Sequence, residues 1–257
     1  EAVDLFDSAI SDGVDVSFDM FPYGCGATLL NTLLPEWFMA GMPDALHKPL
    51  ARARLRLEAE FGFRLVGFGY PQIQITNASC AEYDEHNGRF LPDIAERVGK
   101  SSFDTMLDIL DKSDARARVL FHDYYNDTII DRLMQHPAAI FASDAWPEPG
   151  GHQNPAASGT FPRFLRKARE RKSLSLEAAV HKMTGAAAMR FRLAGRGRLE
   201  EGAAADVVVF DWNQVRDRAH EAESARPFGI EQAFVNGHPI LQNGKLHTVR
   251  GVGELLA

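Results

Sequence analysis

Apolar residues recur at helical spacing from the start of the chain. Val3, Phe6, Ala9 and Ile10 share one face of a helix predicted over Ala2 to Ser11, and Gly13 stands where a left-handed C-cap belongs. Val14 to Phe18 then alternates β-branched and aromatic residues with polar ones, which predicts a strand ended by Pro22 before the turn Tyr23-Gly24-Cys25-Gly26. A longer helical pattern runs from Asp44 to Phe61 through Leu46, Leu50, Leu55 and Leu57, with a short strand after it at Ile73 to Thr76; this stretch reads as an insertion. Helices follow at Leu91 to Val98, closed by Gly99, and at Phe103 to Leu110 behind Ser102 as N-cap, then a strand at Arg118 to Phe121. A helix from Asp127 to Met134, stopped by Pro137, feeds the apolar run Ala138 to Ala142, which ends at Ser143-Asp144. Helices at Phe161 to Arg171 and Leu176 to Met183, with Thr160 and Ser175 as N-caps, and a short one at Gly185 to Phe191 complete this section.

After Leu193 the texture changes. Short strands are predicted at Asp206 to Phe210, Glu231 to Val235 and His238 to Leu241, with hairpin turns at Asn236-Gly237 and Asn243-Gly244. The chain therefore divides into an α/β domain over residues 1–193 and an all-β segment over 194–257.

Composition narrows the function classes. With 257 residues, 45% hydrophobic and 25% charged, the chain has the makeup of a globular protein that buries a sizeable core. The net charge of -7 is spread along the sequence, and no basic block carries interleaved aromatics, so nucleic acid is not expected as a partner. The basic stretch Arg163 to Lys172 reads as the solvated face of an amphipathic helix. Two cysteines, Cys25 and Cys80, build neither a disulfide framework nor a zinc spacing, and Cys25 is expected to pack as a small hydrophobe. No signal core and no run of eighteen apolar residues is present, so the cytoplasm is the expected compartment and no membrane partner is expected. The first residue is Glu1, inside an apparent helix, which raises the expectation of an upstream piece.

Asp144 is the sharpest candidate for chemistry, because a carboxylate directly after an apolar strand sits where α/β barrels place catalytic groups. Read alone, it caps a turn equally well. His122 ends an apparent strand and His152 follows Asp144 closely; each alone reads as a packing or surface histidine, and His152 is also a pocket candidate. None of the nine histidines forms an HxH or HxxxH pair.

The stretch Gly195-Arg196-Gly197-Arg198-Leu199-Glu200-Glu201-Gly202 through Asp206-Val207-Val208-Val209-Phe210-Asp211, followed by Phe234-Val235-Asn236-Gly237, resembles the closing sandwich of the metal-dependent amidohydrolase superfamily. Asp19-Met20-Phe21-Pro22-Tyr23, Phe141-Ala142-Ser143-Asp144 and Gly159-Thr160-Phe161-Pro162-Arg163 resemble its N-acyl-D-amino-acid deacylase (D-aminoacylase) branch. The resemblance covers nearly the whole chain but only the later part of the family's length. It implies the C-terminal part of a (β/α)8 (TIM) barrel plus a small β-sandwich, with zinc at the barrel mouth. By match, Asp144 is both the catalytic carboxylate and a metal ligand, and Tyr23 and Thr28 are pocket residues, Tyr23 being equally readable as a buried aromatic. Where the branch carries His-Pro-Arg, this chain reads Asn154-Pro155-Ala156, which leaves the capture of a substrate carboxylate open.

The reading that follows is a portion of a zinc-dependent amidohydrolase cleaving the amide bond of an N-acyl-D-amino acid or related small molecule. The remaining metal ligands would come from a missing N-terminal half, without which the chain is expected to be inactive and, with an open strand edge, to associate. A homo-oligomer is compatible with this. Two alternatives stand beside it: a non-catalytic remnant with a structural or assembly role, and a cyclic amidase of the dihydroorotase or hydantoinase type.

Overall fold

The computed structural model describes residues 2–123, 125–218, 226–248 and 250–254. Along the chain the elements are α1 (Ala2–Ser11), β1 (Phe18–Met20), β2 (Gly26–Leu29), α2 (Glu36–Met39), α3 (Pro49–Val66), β3 (Ile73–Asn77), α4 (Leu91–Val98), α5 (Ser102–Lys112) and β4 (Arg118–Phe121). There follow α6 (Asp127–Gln135), β5 (Ala139–Phe141), α7 (Ala156–Arg171), α8 (Leu176–Met183), α9 (Gly185–Arg190), β6 (Val207–Phe210), β7 (Ile230–Val235), β8 (His238–Gln242) and β9 (Lys245–Leu246). These divide into two compact units, one made of Glu1–Tyr23, Asp127–Asp144 and Pro155–Ala257, the other of Gly24–Asn126 and Ala145–Asn154.

In the first unit β1 and β5 pair in parallel, Phe18 with Ala139 and Met20 with Phe141. A parallel pair needs a long crossover, and here more than a hundred residues intervene. Met20, Ile130, Met134, Ala139, Phe141 and Phe164 close over this pair, with the Phe141 and Phe164 rings stacked 3.7 Å apart. Each of these side chains except Ala139 contributes about 1.5–3 kcal/mol by leaving water. A second cluster, Leu165, Ala168, Ala179 and Val215, joins α7 and α8 to Phe210, Trp212 and Ile230 of the C-terminal segment. There the described residues hold one antiparallel sheet, β6-β7-β8-β9. Its hairpin turns fall at Asn236-Gly237 and Asn243-Gly244, all four residues at positive φ, the backbone that these tight turns demand.

In the second unit β2 and β3 flank β4, both antiparallel. Leu30, Phe38, Leu55, Ile73, Ile75, Leu91, Ile94, Met106, Ile109 and Val119 form its core. The region read as an insertion lies inside this unit.

Several local expectations need correction. The first strand lies at Phe18–Met20 rather than Val14 to Phe18, because β5 offers partners only from Phe18 onward. Gly26, read as the last residue of a turn, instead opens the strand Gly26–Leu29, because β4 hydrogen-bonds it. The cap of α5 is Ser101, whose hydroxyl accepts from the Asp104 amide at 3.1 Å, not Ser102. Helix α7 starts at Ala156, so Thr160 is buried inside it, its hydroxyl donating to the Ala156 carbonyl at 2.8 Å, and Pro162 is internal. An internal proline removes a backbone donor at a cost of about 3 kcal/mol. The packing of Phe164, Leu165 and Ala168 immediately after it offsets that cost.

Candidate functional site

The parallel register brings the C-terminal ends of β1 and β5 side by side, and the Ala142 amide donates to the Met20 carbonyl at 2.9 Å just beyond the pair. Asp144 leaves from the end of β5 and Tyr23 from the end of β1. This places the two residues on the same edge of the strands, the edge where α/β proteins build their sites. Asp144 is exposed and holds φ at +45°, a left-handed conformation that aspartate tolerates better than most residues. Among the described residues no hydrogen bond or ion pair engages its carboxylate.

Tyr23 is only 1% exposed. Its hydroxyl donates to Asp217 Oδ2 at 3.3 Å, and the Arg163 guanidinium lies 4.5 Å from the centre of its ring. Arg163 Nε also donates to the Pro22 carbonyl at 2.7 Å, so the same side chain fixes the turn after β1. Asp217 is shared: Arg163 approaches Oδ2 at 3.4 Å and Arg166 approaches Oδ1 at 3.2 Å. Burial first, and the Asp217 charge second, raise the Tyr23 pKa well above the ordinary phenol value, so Tyr23 stays protonated and acts as a donor. The buried-aromatic alternative thus describes its surroundings.

Thr28 and His152 belong to the second unit. Thr28 lies on β2 opposite Val119, half-buried, with its hydroxyl 3.4 Å from that of Thr32. The His152 amide donates to the Thr76 carbonyl at 2.7 Å, and its Nε2 lies 3.4 Å from Gln74 Nε2. Gln74 also meets His122 Nε2 at 2.8 Å through Oε1 and donates to the Gly88 carbonyl at 2.7 Å. One buried amide therefore lies between the two histidines. Glu148 anchors the segment 145–154: its buried carboxylate accepts from Arg118 at 2.6 Å, Asn77 at 2.9 Å and Trp146 at 3.1 Å. Cys25 is buried and not part of a disulfide, as a small packing residue would be.

Asp217, Arg166, Gln74 and Glu148 escape a reading of the sequence. Asp217 sits between Arg216 and Arg218, which looks like an exposed charge run. Glu148 lies in a Pro- and Gly-rich loop, where carboxylates are ordinarily solvated.

Among the described residues no group of three or more His, Cys, Asp or Glu stands close enough to hold a metal ion. Among the described residues the side chains do not by themselves make the site of the zinc that the resemblance implies, and Asp144 is one donor without companions there. No described helix is long and apolar enough to cross a membrane.

A strand-end carboxylate beside a second parallel strand end is the arrangement in which α/β proteins build their sites. A profile of the Amidohydrolase family matches residues 54–240, most of the chain, and the chain belongs to that family. It is 37% identical over 180 residues to a D-aminoacylase of Alcaligenes xylosoxydans xylosoxydans, covering 69% of this chain and 36% of the relative. It is 35% identical over 237 residues to an N-acyl-D-glutamate deacylase of the same organism, covering 90% of this chain and 39% of the relative. The fold matches the crystal structure of an N-acyl-D-glutamate deacylase from Bordetella bronchiseptica, complexed with zinc and a phosphonate inhibitor, with a TM-score of 0.70 at 29% identity, over 93% of this chain and 42% of that one. The chain thus spans about two fifths of the length of the relatives it matches.

Proposed function

We propose that this chain is the C-terminal barrel portion, residues 1–193, and β-sandwich segment, 194–257, of a metal-dependent amidohydrolase that cleaves the C–N amide bond of an N-acyl-D-amino acid or a related compound. The carrying observation is Asp144: a free, exposed carboxylate held at φ +45° past the end of β5, beside the end of β1. Its chemistry suits general base and then general acid catalysis. A carboxylate oxygen of Asp144 takes a proton from the attacking water, and the same proton passes to the amine nitrogen as the C–N bond breaks. Buried and protonated, Tyr23 cannot act as a base in this scheme; it and Arg163 hold the β1 turn in place. Thr28 and His152 remain proposed pocket residues.

The zinc named for the Bordetella bronchiseptica deacylase is proposed for the whole protein, with Asp144 as one donor and the others supplied by segments outside these 257 residues. The small-molecule substrate belongs to the same proposal. The test is metal content and hydrolysis of N-acyl-D-amino acids by the full-length protein, with Asp144→Asn as control. Turnover that requires Asp144 supports the reading. Full turnover by the Asn variant rejects its central residue.

A further inference from the structure

The dipeptide Asn-Gly occurs at Asn87-Gly88, Asn236-Gly237 and Asn243-Gly244. Such a pair can close on itself, because glycine has no side chain to keep its amide nitrogen away from the asparagine carboxamide. The attack needs three freedoms: a side-chain amide that can rotate, a glycine N–H not held in a hydrogen bond, and a backbone that can swing about the bond between them.

Two of the three pairs are held. Asn87 is half-buried, its Oδ1 accepts from the Ala78 amide at 2.8 Å, and the Gly88 N–H donates to the Ile75 carbonyl at 2.7 Å. A Cβ on Gly88 would meet His152 Nδ1 at 3.0 Å, so space is short as well. Asn236 donates through Nδ2 to the Val252 carbonyl at 2.7 Å and through its own N–H to Asp206 Oδ1 at 2.8 Å, and the Gly237 N–H donates to the Ala205 carbonyl at 2.9 Å. Its turn joins β7 to β8, and β7 is paired on both sides. Asn243 and Gly244 are different. Both are exposed, and among the described residues no hydrogen bond engages the Asn243 side chain or the Gly244 N–H. The Gly244 carbonyl accepts from Arg226 at 3.3 Å, but that group lies beyond the reacting atoms. Apart from its chain neighbours, nothing lies within 4 Å of where a Gly244 Cβ would stand. The hairpin closed by this pair rests on β9, two residues at the edge of the sheet, and so short an edge strand opens locally at little cost.

We propose that Asn243 is a site of intramolecular deamidation, the one of the three Asn-Gly pairs that the fold leaves reactive. The inference is independent of the amidohydrolase reading. The Gly244 nitrogen gives its proton to hydroxide and attacks Asn243 Cγ; the N–Cγ bond forms, the Cγ–Nδ2 bond breaks and ammonia leaves, closing a succinimide ring. Water then opens the ring. Addition at Cγ gives aspartate, and addition at the main-chain carbonyl carbon gives isoaspartate, whose backbone runs through the former side chain. Aspartate keeps the turn and adds one negative charge. Isoaspartate lengthens the backbone by one carbon, which a two-residue turn cannot carry in register, so β9 comes away from β8.

Incubation of the full chain in water labelled with heavy oxygen, at neutral and mildly alkaline pH, tests the proposal. Peptide mapping with fragmentation that separates aspartate from isoaspartate follows the three sites in one sample. The expected result is conversion at Asn243 at least about tenfold faster than at Asn87 or Asn236, rising with pH, with the label in both products. In urea the three sites should react at similar rates, because the tethers at Asn87 and Asn236 are gone. Asn243→Gln, which would have to close a larger ring, should stay unlabelled at this position while the other two sites behave as in the parent. Equal rates in the folded chain, faster conversion at Asn87 or Asn236, an Asn243 that reacts in urea but not in the folded chain, or aspartate formed without isoaspartate overturns the proposal.

Discussion

The Tyr23 hydroxyl donates to Asp217 Oδ2 over 3.3 Å, tying the turn after the first strand to a residue 194 positions later. Asp217 is buried between Arg163 and Arg166, whose side chains are 13% and 27% exposed. Removing the carboxylate leaves two partly buried cations facing each other, whereas removing the phenol oxygen deletes a single hydrogen bond. Asp217→Ala is expected to cost about 3–5 kcal/mol and Tyr23→Phe about 0.5–1.5 kcal/mol. Urea denaturation of the two variants measures both values, and similar losses would contradict the network described here.

Asp144 is predicted to separate stability from catalysis. Asparagine tolerates the left-handed backbone as aspartate does, so Asp144→Asn should melt with the parent while lowering amide hydrolysis about 10²- to 10⁴-fold in the full-length protein. Asp144→Ala should lose activity and, in addition, about 1 kcal/mol of stability through its backbone alone. Paired melting curves and rate measurements distinguish the two effects.

Gly151 is fixed by space. A Cβ there would lie 2.5 Å from the Thr76 carbonyl oxygen and 2.7 Å from Glu148 Cγ. Gly151→Ala should therefore displace the segment carrying Glu148 and cost about 1–3 kcal/mol. Hydrogen exchange should show faster opening at the His152 amide, whose bond to Thr76 is 2.7 Å in the parent. Unchanged exchange would show that the loop absorbs the methyl group elsewhere.

Lys182 gives a pH dependence with a definite sign. Its ammonium is buried and donates to the His136 and Ala139 carbonyls at 2.6 and 3.2 Å, and burial lowers its pKa from 10.5. The folded form thus sheds the proton before the unfolded form does. Stability from this group is complete above pH 10.5 and is lost as pH falls to the lowered folded value. Chemical denaturation at pH 7 to 11 should show the stability of the parent relative to Lys182→Met rising with pH. A flat difference would refute it.

Periodicity located α1, α4, α8 and the late hairpins because each carries its own boundary signals: Gly99 after α4, Ser175 before α8, Asn-Gly at the turns. Elements that exist through a distant partner were less legible. Gly26–Leu29 has no strong alternation and is a strand because β4 pairs with it. Thr160 and Pro162 mimic a helix start, yet tertiary packing carries α7 through both. At the candidate site Asp144 was legible from the abrupt end of an apolar run. The surroundings of Tyr23 were not, because the burial of Asp217 depends on two arginines more than fifty residues earlier.

The backbone passes between the two compact units at Tyr23/Gly24, Asn126/Asp127, Asp144/Ala145 and Asn154/Pro155. The second unit is therefore not a removable cassette. Excising 24–126 and rejoining the ends would strand the ten residues 145–154, leaving the Glu148 carboxylate without Arg118 and Asn77. A chimera that borrows this unit from a relative must exchange both pieces together, and the second begins at the residue after the candidate catalytic carboxylate.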